Sequence, residues 1–286
     1  MEKAYFVLGV DCESTQPAVN NHVLGERAIR GIADVMSKNN GKCTFFVIAS
    51  DIEKHHHIYR ELEQQGHEIG LHLHPVIQGY KEYCGIYGPE EQEKIISQAV
   101  DRFVRAYGKK PVAFSMGYAS ANDHTFSILV KLGFTHGTCS MPGRILPECA
   151  SIWAGAPLFI HYAHPYNRCL AGNLDFVEIP ITVDWESRMW SGKHPQDLRV
   201  ELVDAKNHSY TIEKSLKRQM QENVSVKLVR AVTHNIFEFD SPDNFRRQTL
   251  EGMIAFFKNI CSRLNLVAEI TTCSEVNRIF REKNSL

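Results

Sequence analysis

The chain has 286 residues, 43% of them apolar and 23% charged, enough for one large domain with a buried core and too ordinary in composition for intrinsic disorder. Its 32 lysines and arginines nearly cancel 33 aspartates and glutamates, and no basic stripe stands out, which argues against a nucleic-acid partner and suits a neutral or mildly charged small substrate. Eight scattered cysteines without CxxC spacing speak against a disulfide framework and a cysteine zinc site, and read mainly as buried thiols.

The apolar stretch 4–10 is too short for a signal core or a membrane span, so a cytoplasmic protein without a membrane span is expected. That same stretch, at 5–10, reads as a strand, followed by a helix at 27–37 that stops at Asn39-Asn40-Gly41. A strand at 43–48, a helix at 51–65 closed by Gly66, and a strand at 68–72 follow. Pro89-Glu90-Glu91 opens a long helix to Tyr107, with proline and acids where a helix N-terminus favours them. A strand at 111–114 and a helix at 122–132 precede a region, 134–173, whose weak periodicity predicts loops with short strands. Strands at 177–183, 227–233 and 266–270 and helices at 244–264 and 274–281 complete the pattern. Alternating strands and helices predict a mainly parallel sheet, open or closed into a barrel, with residues 1–286 forming a single domain.

Two short segments carry the chemistry. Asp11-Cys12-Glu13 and His72-Leu73-His74-Pro75 each close a predicted strand, and side chains two apart in a strand share a face. Carboxylates and imidazoles so placed are metal-ligand chemistry, and the rim beyond the strand ends is where parallel sheets and barrels put their active sites. One carboxylate of the first pair would bind the metal while the other takes a proton, and Cys12 turns to the opposite face. Asp184-Trp185 and Thr233-His234-Asn235 likewise follow strands. H-x-H alone is a weak signal; it gains weight because four strand ends share the property. His55-His56-His57 read as a solvated helix face, His67 as a boundary residue and His124 as a helix flank. His161 and His164 are open between substrate contact and loop packing. Trp153 and Trp190 read as core, and Trp185 stands open between core and ligand platform. Neither a phosphate-binding glycine motif nor a GxSxG elbow is present.

These residues resemble the polysaccharide deacetylases with a NodB-homology domain, carbohydrate esterase family 4. Thr44-Phe45-Phe46-Val47 is similar to the second-strand signature, and Gly66-His67-Glu68-Ile69-Gly70-Leu71-His72 to the metal-histidine segment. The stretch 114–123, Glu178-Ile179-Pro180 through Asp184-Trp185, and Thr233-His234-Asn235 resemble the later motifs. The resemblance implies a distorted (β/α)7-type barrel and metal-dependent hydrolysis of an acyl group, N-acetyl foremost, on a sugar or polysaccharide precursor. It implies Asp11 as general base, Glu13 and His72 as metal ligands, and His234 as general acid, with Asp184 orienting it. The implied cofactor is a divalent ion, zinc by preference, and the implied partner is a carbohydrate or small acylated substrate met by Tyr118, Arg144 and Trp185.

Three departures mark a D-x-E, H-x-H-P variant. The family's second histidine falls at Val76, so His74 takes its place; a glutamate one residue removed replaces the second of two adjacent aspartates; and Ser115 replaces the arginine that orients the base, with Arg144 as candidate substitute. Two alternatives stay open: hydrolysis of a small non-sugar amide, and a carbohydrate-binding protein whose chemistry has lapsed. The sequence leaves the oligomeric state open.

Overall fold

In the computed structural model, which describes residues 1–284, β1 (Lys3–Cys12) is an interior strand of the sheet, in keeping with the apolar character of both its faces. Ala4, Phe6, Leu8, Val10 and Cys12 pack outward among the helices, while Tyr5 and Val7 pack inward. Burying each large side chain stabilises by roughly 1.5–3 kcal/mol, so a strand buried on two faces belongs inside a parallel sheet.

Along the chain follow α1 (His22–Lys38), β2 (Thr44–Val47), α2 (Ala49–Gln64), β3 (Glu68–Leu73), α3 (Pro89–Tyr107), β4 (Ala113–Met116), α4 (Thr125–Lys131) and β5 (His136–Thr138). The loop-rich middle holds β6 (Ile145–Leu146), β7 (Ser151–Ile152), β8 (His161–Tyr162) and β9 (Val177–Glu178). Then come a hairpin of β10 (Val183–Met189) and β11 (His194–Asp197), and α5 (Ala205–Gln221), β12 (Lys227–His234), α6 (Phe245–Arg263), β13 (Val267–Thr271) and α7 (Cys273–Asn284). Caps fall where side chains supply them. Asn21, Asp204 and Asn244 accept the first free amides of α1, α5 and α6, and Pro89 with Glu90 and Glu91 opens α3.

The main sheet runs β12-β1-β2-β3-β4-β5-β9-β8, parallel except for the β8–β9 pair. β1 pairs with β12 along one side; on the other it meets β13 through residues Lys3 to Val7 and β2 through Gly9 to Cys12. The sheet curls, and residues 181–182 and 198–200 bridge its ends: Thr182 N donates to Arg230 O at 3.1 Å, and Val232 N to Leu198 O at 3.0 Å. This is a distorted (β/α)7 barrel. Cys273, Val276 and Phe280 of α7 pack on Tyr5, Val7 and Leu228 and plug the end where the strands begin. Glu178 secures the other end, its carboxylate accepting from Cys139 N at 3.0 Å and Ser140 N at 2.8 Å at the start of the loop that leads to Arg144.

The expected elements are present with small shifts at their ends, and three differences have physical reasons. The strand expected at 177–183 breaks at Pro180, which has no amide for a ladder, so β9 ends early and β10 starts a separate hairpin. α5 is not among the elements expected from the sequence: its buried face mixes Ile212 and Leu216 with the polar His208, Thr211 and Gln219, which obscures the apolar spacing. His55 is buried, not solvated: a kink in α2 (φ −118°, ψ 19°) turns its ring to within 3.9 Å of Asp51. His67 is also buried and accepts from Cys43 N at 3.2 Å. All eight cysteines are free thiols, six of them buried. Among the described residues, no helix is long and apolar enough to cross a membrane.

Candidate active site

The rim at the C-terminal ends of the strands gathers the titratable groups. β3 ends at Leu73, but His74 stays extended (φ −119°, ψ 110°) before Pro75 begins a 3-10 turn, so the two-residue period continues and His72 and His74 share a face. Their Nε2 atoms lie 3.1 Å apart. Glu13, from the loop after β1, sets Oε1 3.6 Å from His72 Nε2 and Oε2 3.4 Å from His74 Nε2. Glu82 and Gln16 both contact the far ring nitrogen of His74, fixing which nitrogen faces the site.

This trio fits a divalent cation. Its donor atoms lie within 4.8 Å of one another and all three residues are buried. Two imidazoles and a carboxylate are a common zinc donor set. Burial raises the Glu13 carboxyl, yet the charge of His74 and hydrogen bonds from both histidines outweigh it and hold the group well below the usual carboxylate range. Burial lowers His74, while Glu13 and Glu82 outweigh it and push the imidazole up to about 10.

Asp11 and His234 flank the trio on neighbouring strands, registered opposite each other. Asp11 accepts from Ser115 Oγ at 3.1 Å and lies 3.7 Å from His72 Nδ1. His234 Nε2 is 3.7 Å from Glu13 Oε1, and its Nδ1 is 3.3 Å from Glu201 Oε1. Glu201 also accepts from the amide of His234 at 3.0 Å and from the Thr233 hydroxyl. Burial alone would lower His234, but the hydrogen bond and charge of Glu201 push it up to about 9. Behind the rim, Asn235 accepts from Glu13 N at 2.7 Å, and Asp51 collects Ser14 Oγ at 2.8 Å and Tyr59 OH at 3.2 Å. Gly25 lets α1 approach this loop, since a Cβ there would stand 2.1 Å from Ser14 Oγ.

A cavity of 850 Å³ opens over these groups, within the usual range for a small-molecule site. Tyr118, Arg144, Trp190, Arg199 and Arg230 line other parts of it.

Residues 23–137 match the family model of polysaccharide deacetylase. That stretch holds His72, His74 and Ser115, and the match agrees with the family resemblance read from the motifs. No curated protein matches the chain. Among solved structures, a protein from Mycobacterium smegmatis classed as a polysaccharide deacetylase is 17% identical, with a TM-score of 0.65 over 99% of this chain and 92% of that one. The PuuE allantoinase is 13% identical (TM-score 0.65, 99% and 91% covered), and a protein from Pseudomonas aeruginosa PAO1 classed as a polysaccharide deacetylase is also 13% identical (TM-score 0.63, 99% and 92% covered). At these identities the neighbours share the deacetylase fold.

The structure brings Asp11, Glu13, His72, His74 and His234 together and leaves two expected residues outside. Asp184 pairs with Lys214 at 2.7 Å and Ser187 at 2.8 Å, and it lines a separate small pocket; Glu201 holds His234 instead. Trp185 lines that second pocket under Arg218, so it is no platform for the rim. Arg144 reaches the cavity wall, but its Nη1 donates to Tyr118 O at 2.8 Å and not to Asp11. Where the deacetylase pattern has an arginine, Ser115 supplies the hydrogen bond. Arg199 pairs with Asp197 at 3.4 Å; burial lowers its guanidinium, but Asp197, then Glu201, Asp11 and Glu13, outweigh that and raise it. Sequence reasoning missed Glu82, Glu201, Arg199 and the cavity-lining Trp190, all in turns or loops without periodicity.

Proposed function

We propose that this protein is a metal-dependent hydrolase that removes an acyl group, N-acetyl foremost, from a sugar or sugar precursor. The observation that carries the reading is the convergence of Glu13, His72 and His74 on one point, with Asp11 and His234 on either side. Glu13, His72 and His74 would hold the ion, and zinc suits the set. When bound, such a cation supplies Lewis acidity, polarising the acyl carbonyl and acidifying water.

The chain's own groups then divide the proton transfers. Asp11, held by Ser115 Oγ, takes a proton from the attacking water as its oxygen bonds to the acyl carbon. His234, kept protonated at neutral pH by Glu201, gives a proton to the departing nitrogen as the C–N bond breaks. The products are a carboxylic acid and a free amine. The cavity has room for an acylated sugar unit over these groups. A small non-sugar amide remains the second reading, favoured by the same cavity volume and by the fold shared with an allantoinase.

The test is metal analysis of the purified protein with acetate release measured against N-acetylated sugars and small cyclic amides. One divalent ion per chain, with release abolished by chelation and restored by zinc, is the expected result. Release unaffected by chelation refutes the metal-dependent reading, and hydrolysis of cyclic amides alone moves the substrate to the second reading.

A further inference from the structure

The hydrolytic chemistry leaves two guanidinium groups on the cavity wall unemployed, the fully buried Arg230 and Arg144, which lies in the turn beside the β10–β11 hairpin. Arg144 is 5% exposed, and its Nη1 spends one hydrogen bond on the Tyr118 carbonyl at 2.8 Å, while its Nε is buried without a partner. Among the described residues it forms no ion pair with a carboxylate. A guanidinium in that position is unfavourable unless something brings negative charge to it. Arg199, another guanidinium on the cavity, also has a buried Nε without a partner; it shares Asp197 at 3.4 Å, and Asp197 is already engaged by His194 at 3.0 Å. Burial, then the adjacent charge of Arg199, pull Arg144 down to about 10, the mark of a cation short of counter-charge. Lys193 adds a further cation at the mouth, where its amine is 3.9 Å from Glu148 and half exposed.

The wall is built as one piece. Trp190 and Ser191 sit at the tip between β10 and β11 in the left-handed region (φ 51° and 54°), conformations that a simple turn of such residues avoids. Trp190 stacks on the buried His194 with ring centroids 4.4 Å apart and still presents 49% of its surface. Arg188 Nη2 donates to Gly143 O at 3.0 Å and Ile145 N to Lys193 O at 2.8 Å, so the hairpin is fastened to the turn that carries Arg144. An aromatic face beside an unpaired guanidinium suits a sugar ring bearing an acid.

We propose that this wall is a subsite for an anionic oxygen group, carboxylate or phosphate, carried by the acylated substrate, with Arg144 as the residue that selects it. The subsite rests on the hydrolase reading only for the chemistry at the substrate's other end. Its recognition is a binding property of the chain itself.

The experiment compares N-acetylglucosamine with two relatives that add one acid each, N-acetylglucosaminuronic acid and N-acetylglucosamine 1-phosphate. Calorimetric binding to the protein as isolated and acetate release from the zinc-loaded protein are both read. One of the two acids is expected to bind about 10²-fold more tightly than the neutral sugar, the size of a good charge-assisted contact, and which one does so assigns the group. In Arg144→Met the ratio of acid to neutral affinity should fall by about the same factor, and Arg144→Lys should recover part of it. Equal affinity for all three in the wild type overturns the subsite even if acetate is released, and so does a ratio unchanged in Arg144→Met. Tight binding of one acid without acetate release from any sugar leaves the subsite standing and removes the hydrolase reading.

Discussion

The barrel holds two clusters of histidine and carboxylate, one at each end of β3, and their difference separates structure from chemistry. At the start of the strand, Glu68 meets His136 Nε2 at 2.7 Å, Thr44 Oγ1 at 2.8 Å and Ser274 N at 2.9 Å, and the Ser274 hydroxyl as well. Burial raises its carboxyl, but His136 and the hydrogen bonds outweigh it and leave it lowered. Each acceptor site faces a donor, and the carboxylate caps α7 where that helix plugs the barrel. At the other end of β3, His72 and His74 turn ring nitrogens toward each other and toward the oxygens of Glu13, and His72 Nδ1 has no hydrogen-bond partner. The same residue types are saturated below and left expectant above. What distinguishes a reactive cluster is therefore unfilled valence over a cavity, not composition.

This contrast breaks if the upper cluster proves as structural as the lower one. The largest effect should come from His72→Ala, which is expected to lose metal and activity together while remaining folded; an active, metal-free variant would falsify the assignment. His234→Ala should keep its metal and lose turnover by about 10²-fold, measured as kcat with metal content determined on the same sample. Glu201→Gln tests how the acid is held. His234 lies above its ordinary value, so the acid form persists until pH rises through about 9, and activity should fall along that limb. Removing the Glu201 charge lowers the imidazole, so the limb should move to lower pH; an unmoved profile would detach Glu201 from His234. Smallest in catalytic terms is Glu68→Gln below, expected to cost about 1–3 kcal/mol of stability by denaturant titration with metal content and kcat preserved.

How much of this could be read from the chain follows from periodicity. Asp11, Glu13, His72 and His234 end apolar strands whose two-residue alternation names the face each side chain takes, and Cys12 turns into the core as that alternation requires. His74 was legible for the same reason, since the backbone stays extended one residue past the strand. Glu82 and Glu201 had no such signal. They come from loops, and only the folded path brings Glu82 to His74 and Glu201 to His234. Asp184 misled because it does follow an extended run, but Pro180 interrupts that run and the chain leaves the barrel before reaching it. The Asp184 that results serves the packing of the hairpin on α5 through Lys214.

The placement of β1 has a consequence for how the chain reaches this state. Its two neighbours at the plugged end, β12 and β13, follow it by more than 200 residues, and 222 residues separate Glu13 from the Asn235 that accepts its amide hydrogen. On a ribosome adding 5–20 residues per second, the β1 edges that meet β12 and β13 therefore wait on the order of ten seconds or more for their ladder partners. Non-local parallel pairing is slow in any case. A strand that precedes α1 and β2 in the chain thus gains most of its ladder bonds only after the distant β12 and β13 have been made.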